Sequence, residues 1–142
     1  MVVVPTGSAR TAPEAPCALV PEPIDSLTVT FETDKKVYRL GRVMKVKVTV
    51  TRTAAQPAST PVEGADVTVT LRSGGDSVIQ PQGGITNQDG ISNVKIKIKT
   101  YHELGPADIS VFVTKTQYDD GVCIHLKEQG YVYTERAVTL TQ

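Results

Sequence analysis

The amino-acid sequence predicts an all-β protein, a two-sheet antiparallel sandwich of about seven strands that follows an extended N-terminal arm. The chain has 142 residues, and 20 Val and 18 Thr are among them. These β-branched side chains lose χ1 freedom in helices but pack well on a pleated sheet. Apolar and polar residues alternate along much of the chain after residue 25, and clusters of Gly, Pro, Asn and Asp separate the alternating segments.

The first 25 residues are the predicted arm or linker, and residues 26–142 are the predicted sandwich domain. Five of the nine prolines lie in the arm, where each one fixes φ and removes a backbone donor. The Val2-Val3-Val4 run favours strand formation, and an extended arm of this kind can add to an open sheet edge of a neighbouring subunit. A disordered linker to another domain is the alternative.

Period-two alternation defines the strands in chain order. In each segment one set of side chains is predicted to face the core and the other set to face solvent. Because one face stays wet, the sheets are predicted to be antiparallel. The predicted core positions are Leu27, Val29, Phe31, Met44, Val46, Val48, Val50, Val67, Val69, Leu71, Val94, Ile96, Ile98, Ile109, Val111, Val113, Val138 and Leu140.

Turn signals lie between these segments. Residues 87–90 (NQDG) precede the strand predicted over 91–100, and Asp-Gly is a strong signal for a tight turn. The glycines and the proline between residues 74 and 84 are predicted to interrupt the middle of the chain.

Four motifs, taken in this order, resemble those of a known family. They are residues 33–41 (TDKKVYRLG), 61–69 (PVEGADVTV), 86–91 (TNQDGI) and 104–109 (LGPADI). The chain resembles bacterial immunoglobulin-like domains of the invasin/intimin type, and it is similar to macroglobulin-type domains, although those usually carry a proline where Leu40 stands. The resemblance covers residues 26–116. It implies a seven-stranded immunoglobulin-like sandwich that acts as a spacer, an adhesive module or an assembly module.

Five lysines form the predicted binding face. In immunoglobulin order, the second strand and the strand over 91–100 are neighbours in one sheet, so their outward side chains share a surface. Such a basic face can bind an acidic glycan or an acidic protein; the alternative is that the lysines keep the sheet soluble and prevent edge-to-edge association. The lysines are Lys45, Lys47, Lys95, Lys97 and Lys99.

A late loop over residues 117–130 is the predicted recognition loop, because loops on rigid sandwiches often carry binding residues. Its candidate binding residues are Tyr118, Asp119, Asp120 and His125. The alternative is a solvated acidic turn. The loop shows no regular spacing of oxygen ligands, so we expect no metal site there.

The two cysteines, Cys17 in the arm and Cys123 in the late loop, suggest a disulfide that fastens the arm to the domain. Closing a loop of about 100 residues stabilises a fold by up to ~4–5 kcal/mol in the chain-entropy description. Two unrelated thiols are the alternative.

Charge and motif content exclude several function classes. The chain has 15 basic and 15 acidic residues, so it lacks the overall basic excess of a dedicated nucleic-acid binder. Its apolar runs are too short for membrane insertion. No nucleophile elbow, phosphate-binding glycine loop or zinc-ligand pairing occurs, so neither an enzyme nor a cofactor is expected. His102 stands beside Tyr101 and Glu103, and it is predicted to lie on the surface at a strand end.

We therefore expect a non-enzymatic structural and adhesion module of a cell-surface or particle-surface assembly: a spacer, a filament subunit or a virion subunit. The arm would mediate assembly or tethering, with other proteins or copies of the chain as partners. Phe112, Tyr131 and Tyr133 would supply an aromatic contact surface. The location would be extracellular, on a cell surface or on a virion, although the chain contains no signal peptide. The alternative is a module that binds an acidic glycan or protein through the lysines and the 117–130 loop.

Overall fold

A computed structural model shows an all-β protein with two sheets. It describes residues 24–53, 60–74, 78–119 and 124–142, and at 117–119 and 124–126 it describes the backbone alone. The described part of the chain contains ten strands, which are β1 (Ile24–Asp25), β2 (Leu27–Thr33), β3 (Val37–Arg39), β4 (Val43–Arg52), β5 (Thr60–Pro61), β6 (Asp66–Ser73), β7 (Val78–Ile85), β8 (Ile91–Lys97), β9 (Gly105–Asp119) and β10 (Ile124–Thr141).

Sheet one has the strand order β1-β10-β9-β6-β7, and β3 also pairs with β10. Sheet two is centred on β4, which pairs with β2 on one edge and with β8 and β5 on the other. The pairs that β10 makes with β1 and β3 are parallel, whereas the other described pairs are antiparallel. Residues 24 and 25, predicted as the end of the arm, therefore belong to sheet one.

Both sheets contribute to one hydrophobic core, and the alternating pattern explains how. In β4, Met44, Val46, Val48 and Val50 are buried, while the lysines between them are exposed. Every predicted core position is buried except Phe31, which is partly buried. The core additionally contains Tyr38, Val62, Ala65 and Ala107.

The predicted interruption between residues 74 and 84 is wrong for its second half, where the structure has β7. Pro81 lies within this strand opposite Thr70 of β6. Among the described strands, β7 pairs with β6 alone, so it is an edge strand of sheet one. A proline is tolerated there because an edge strand needs hydrogen bonds on one side only. Pro81 and the adjacent glycines obscured the strand signal in the sequence.

The predicted loop over 117–130 is also wrong in extent. Residues 117–119 continue β9, and residues 124–130 begin β10. The two strands stay paired as far as Asp119 opposite Ile124. These ends of β9 and β10 were not predicted because the apolar alternation ends after Val113, although Thr114 and Thr116 still favour a strand. Cys17, Asp120 and Cys123 lie outside the described residues, and with them the predicted disulfide.

The outer edge of β10 is paired at its two ends and open between them. β1 pairs with Glu128 and Gln129, and β3 pairs with residues 139–141. Between these contacts, no described strand pairs with the outer edge over residues 130–138. The strand also bulges there: Ala107 is opposite Val138 but Ile109 is opposite Thr134.

Candidate functional site

The lysines of sheet two lie on its outer, solvent-facing side. Lys45 of β4 is directly opposite Lys95 of β8, and Lys97 is opposite Val43. Facing residues on paired strands have Cβ atoms about 5 Å apart, so the side chains of Lys45 and Lys95 leave the sheet at adjacent positions. Lys99 follows the end of β8. All five predicted lysines, Lys45, Lys47, Lys95, Lys97 and Lys99, are exposed, and we call this set the lysine face.

Two carboxylates border the lysine face. Glu32 of β2 is opposite Lys47, and an Asp34 carboxylate oxygen accepts the Lys45 backbone N–H at 3.0 Å. Within the described residues, none of the five lysines forms an ion pair with a carboxylate. Because facing like charges repel, the opposed ammonium groups of Lys45 and Lys95 favour binding of an anion from solution.

A buried tyrosine fixes the turn before β3, next to the lysine face. The Tyr38 hydroxyl donates to Asp34 and accepts the Lys35 backbone N–H at 2.8 Å. Burial of the ring, followed by the hydrogen bond to Asp34, raises the pKa of Tyr38 to about 12. The same hydrogen bond is the main cause that lowers the pKa of Asp34. Asp34 is therefore an ionised carboxylate already engaged within the fold.

A cleft of about 420 Å³ separates β2 from the open edge of β10. Val29, Phe31, Val132 and Ala137 are among its lining residues. Apart from Val29, these apolar residues are only partly buried, although they pack against the core. The core is thus incompletely covered where β10 lacks a neighbouring strand.

Gly130 sets the width of this cleft at one end. A Cβ atom placed on Gly130 would lie 2.5 Å from the Leu27 carbonyl oxygen and 2.8 Å from Val29. Contacts of that length do not occur between real side chains and backbone, so only glycine allows β2 and β10 to approach this closely. The cleft opens beyond this point.

Aromatic side chains lie on the outer side of sheet one. Phe112 is directly opposite Tyr131, and both side chains are exposed. The Tyr133 hydroxyl donates to an Asp108 carboxylate oxygen at 2.6 Å. This bond raises the pKa of Tyr133 to about 12 and lowers the pKa of Asp108. The three predicted contact aromatics therefore lie on one face, opposite the lysine face.

A partly buried ion pair connects the two sheets. Arg52 of β4 donates to both carboxylate oxygens of Glu128 in β10, at 2.8 and 3.1 Å, and the Ser26 hydroxyl donates to the same carboxylate at 2.9 Å. The hydrogen bonds from Arg52 are the main cause that lowers the pKa of Glu128. This two-point contact fixes the position of β10 at the end of the open edge.

The prediction that His102 is a surface residue is wrong. Its side chain is buried, at 3% exposure. Nδ1 lies 2.7 Å from the Ser73 hydroxyl, and Nε2 lies 2.9 Å from Oε1 of Gln80. The Gln80 amide nitrogen donates to the Lys97 carbonyl oxygen at 2.7 Å, so the amide oxygen must accept from Nε2–H and Nδ1 is left to accept from Ser73.

The hydrogen-bonded network of Ser73, Gln80 and His102 is buried inside the fold. A hydrogen-bonded serine and histidine are the parts of a nucleophile and base pair, but Ser73 has only 1% of its surface exposed. The network connects Ser73 and Gln80 of sheet one to the Lys97 carbonyl oxygen at the end of β8. The sequence gives no signal of it, because neither Thr100-Tyr101-His102-Glu103 nor the residues around Gln80 show a buried pattern.

Of the residues predicted for the late loop, Tyr118 and Asp119 lie in β9 and His125 lies in β10. The register pairs Tyr118 with His125. Their backbones are therefore neighbours near the tip of the β9–β10 hairpin. Over the described residues the two strands of this hairpin stay paired up to Asp119 and Ile124. The lysine face is in the other sheet, so the two predicted binding elements belong to different sheets.

Comparison with known proteins assigns the chain to no family. In the part of the chain that the structure describes, no helix is long and apolar enough to cross a membrane. The same residues contain no group of three His, Cys, Asp or Glu side chains placed to hold a metal ion. No protein-family model matches the chain, and no curated protein matches its sequence.

Proposed function

We propose that the chain is a non-enzymatic structural and adhesion module with an immunoglobulin-like fold. It works outside the cell, as a spacer, filament subunit or virion subunit of a surface assembly. The distribution of the seven longest strands supports this fold: the first, second and fifth lie in sheet two, and the others lie in sheet one. The constant-type immunoglobulin sandwich has the same division except for its fourth strand, which joins the first, second and fifth. Here the fourth strand, β7, pairs with β6 in sheet one.

The open edge of β10 is the observation that carries the proposal. Strand addition needs unpaired backbone groups at a sheet edge and pockets for alternate side chains. The unpaired stretch of β10 supplies the first, and the cleft beside β2, with its partly buried Phe31 and Val132, supplies the second. A segment that enters the cleft would extend sheet one and cover the exposed part of the core.

The occupant is the arm of a second copy, through its Val2-Val3-Val4 run. The run has the same length as β3. That strand has three residues and pairs in parallel with β10 beside the gap. The chain's own arm is poorly directed for this role. β1 runs parallel to β10 and Ile24 is opposite Glu128, so the N-terminal end of β1 points away from the gap.

Sedimentation of the full chain across a concentration series tests this assembly. We expect the unmodified protein to associate, and we expect the triple variant Val2→Lys/Val3→Lys/Val4→Lys to stay monomeric. Val132→Lys, in the cleft, should have the same effect. Gln88→Lys adds the same charge in the exposed turn before β8, away from the cleft, and should associate normally. A monomeric unmodified chain, or association that persists in the arm variant, would contradict the proposal.

A second candidate function is recognition of an acidic glycan or acidic protein through the lysine face and the residues predicted for the 117–130 loop. The direct opposition of Lys45 and Lys95 favours it, because binding an anion would relieve their repulsion. We expect salt-sensitive binding that is lost in Lys95→Glu/Lys97→Glu/Lys99→Glu. Binding that is unchanged in this variant would rule out the lysine face.

A further inference from the structure

A basic cleft without a local signal in the sequence lies at the end of the sandwich, beside the lysine face. Its volume is about 470 Å³. Three of its six lining residues are cationic and none is acidic; they are Lys35, Val37, Tyr38, Arg39, Arg42 and Val43. The cationic side chains are exposed, whereas the Tyr38 ring is buried.

A tight turn brings the two arginines together. The Arg42 N–H donates to the Arg39 carbonyl oxygen at 3.1 Å, which makes these residues the first and fourth of a β-turn. Gly41, the third residue, has φ 87°, a value that favours glycine at this position of a type II turn. Leu40 packs against the core and holds the turn in place. The turn therefore fixes the backbones of Arg39 and Arg42 close to each other.

The third cation is held by the turn before β3. The backbone of Lys35 is fixed by its N–H bond to Tyr38 and by the Thr33 hydroxyl, which donates to the Lys35 carbonyl oxygen at 2.6 Å. The carboxylate of the adjacent Asp34 already accepts the Tyr38 hydroxyl and the Lys45 N–H. It is therefore committed to the fold and does not line the cleft.

The cleft continues into the lysine face. The Gly41 N–H donates to the Ile98 carbonyl oxygen and the Ile98 N–H donates to the Arg42 carbonyl oxygen, both at 2.8 Å. These bonds attach the turn to the residues between Lys97 and Lys99. Residues 32–47 and 91–99 together hold 9 of the 15 basic residues and 2 of the 15 acidic ones. The neutral chain thus concentrates a net charge of +7 here, and the remaining residues carry −7.

We propose that this cleft binds one sulfate or carboxylate group of an acidic polysaccharide whose chain continues across the lysine face. The inference rests on the second candidate function above and adds its anchoring site. Guanidinium groups contact oxyanions in a two-point geometry that ammonium groups lack. Along β8 the lysines at alternate positions are about 7 Å apart, so they can follow a polymer with repeating charges.

The chemistry of the face favours a polysaccharide over a nucleic acid. Proteins that bind single-stranded nucleic acid combine a basic groove with aromatic side chains that stack on the bases. The exposed residues of β4 and β8 are instead Val43, Lys45, Lys47, Asn93, Lys95 and Lys97. Tyr101, beyond the end of β8, is exposed and suits contact with one sugar ring.

The test compares matched pairs of substitutions in the full chain by fluorescence anisotropy at several salt concentrations. The probes are labelled heparin for sulfate, labelled polygalacturonate for carboxylate and labelled single-stranded DNA. Arg39→Gln/Arg42→Gln alters the cleft, and Lys95→Gln/Lys97→Gln alters the face. Lys115→Gln/Arg136→Gln removes the same charge elsewhere on the molecule. Arg39→Lys/Arg42→Lys keeps the charge of the cleft but not its two-point geometry.

We expect the cleft pair and the face pair each to weaken binding of at least one glycan by about tenfold, as expected for loss of a charge-assisted contact. The lysine replacement in the cleft should give an intermediate loss, and the control pair should change affinity less than twofold. Whichever probe binds more tightly identifies the anionic group.

Other outcomes separate the proposals. If the face pair weakens binding and the cleft pair does not, the anchoring site is wrong and the lysine face stands. If the control pair weakens binding equally, the attraction is nonspecific and both proposals fail. Absence of binding to either glycan also overturns both. DNA binding as tight as the glycan binding would replace the polysaccharide with a nucleic acid as the partner.

Discussion

Acid should destabilise this fold through His102. We expect this effect at a higher pH than the effect of protonating the carboxylates. The ring is buried and both nitrogens are engaged, so burial lowers its pKa below the usual 6.5. In the unfolded chain the imidazole takes up a proton near pH 6.5. As the pH falls from there towards the lowered pKa, the unfolded state binds more protons than the folded state, and the free energy of unfolding decreases.

The size of this loss follows from the linkage relation. One proton bound only by the unfolded state lowers the free energy of unfolding by about 1.4 kcal/mol per pH unit. Between pH 7 and pH 5.5 we therefore expect a loss of at most about 1 kcal/mol, the value reached if the folded state binds no proton over this range. Asp34, Asp108 and Glu128 also have lowered pKa values, but their contributions are lost only below about pH 4.5.

Urea denaturation at a series of pH values measures the effect. His102→Gln should lower stability at neutral pH by about 2–4 kcal/mol, because Ser73 and Gln80 lose buried hydrogen bonds, and its stability should hardly change between pH 7 and 5.5. The chain has two histidines, so His125→Gln is the matched control and should keep the pH dependence of the unmodified protein. Parallel pH profiles for the unmodified protein and His102→Gln would refute the reasoning.

Three further predictions concern the framework of the proposed sites. Glu128→Gln should lower the free energy of unfolding by about 1–3 kcal/mol, because Arg52 loses its ionised partner; urea denaturation would show it, and the difference should shrink as the pH falls below about 4.5 towards the lowered pKa of Glu128. Gly130→Ala should cost about 1–3 kcal/mol because its methyl group meets backbone, which calorimetry would detect as a lower melting temperature. Tyr38→Phe should cost about 1–2 kcal/mol and raise the pKa of Asp34, measurable by NMR titration.

The period-two pattern was sufficient to predict most of the core. Residues such as Val46, Val69 and Ile96 are buried because alternation in a half-buried strand determines which side chains face inward. The same alternation placed the lysines outward. It failed at β7, where an edge strand tolerates Pro81, and along the β9–β10 hairpin, where polar residues continue the ladder without an apolar face.

The functional features depended on contacts that no local pattern encodes. His102 is buried because Ser73 and Gln80, about 20 to 30 residues away, supply its hydrogen bonds. The arginine cleft depends on a turn whose local signal is a single glycine, Gly41. The neighbourhood of β4 and β8 was expected from the family resemblance, and the register then gave the direct opposition of Lys45 and Lys95.

The two outer faces of the molecule differ in chemistry, and the core holds them in a fixed relation. The lysine face covers sheet two, while Phe112, Tyr131 and Tyr133 lie on sheet one. Packed sheets lie about 10 Å apart, so one partner cannot readily contact both faces. An anionic surface that attracts the lysine face would therefore orient the whole molecule and turn its aromatic side outward. Orientation by charge on one side would thus determine which side is presented to the next binding partner.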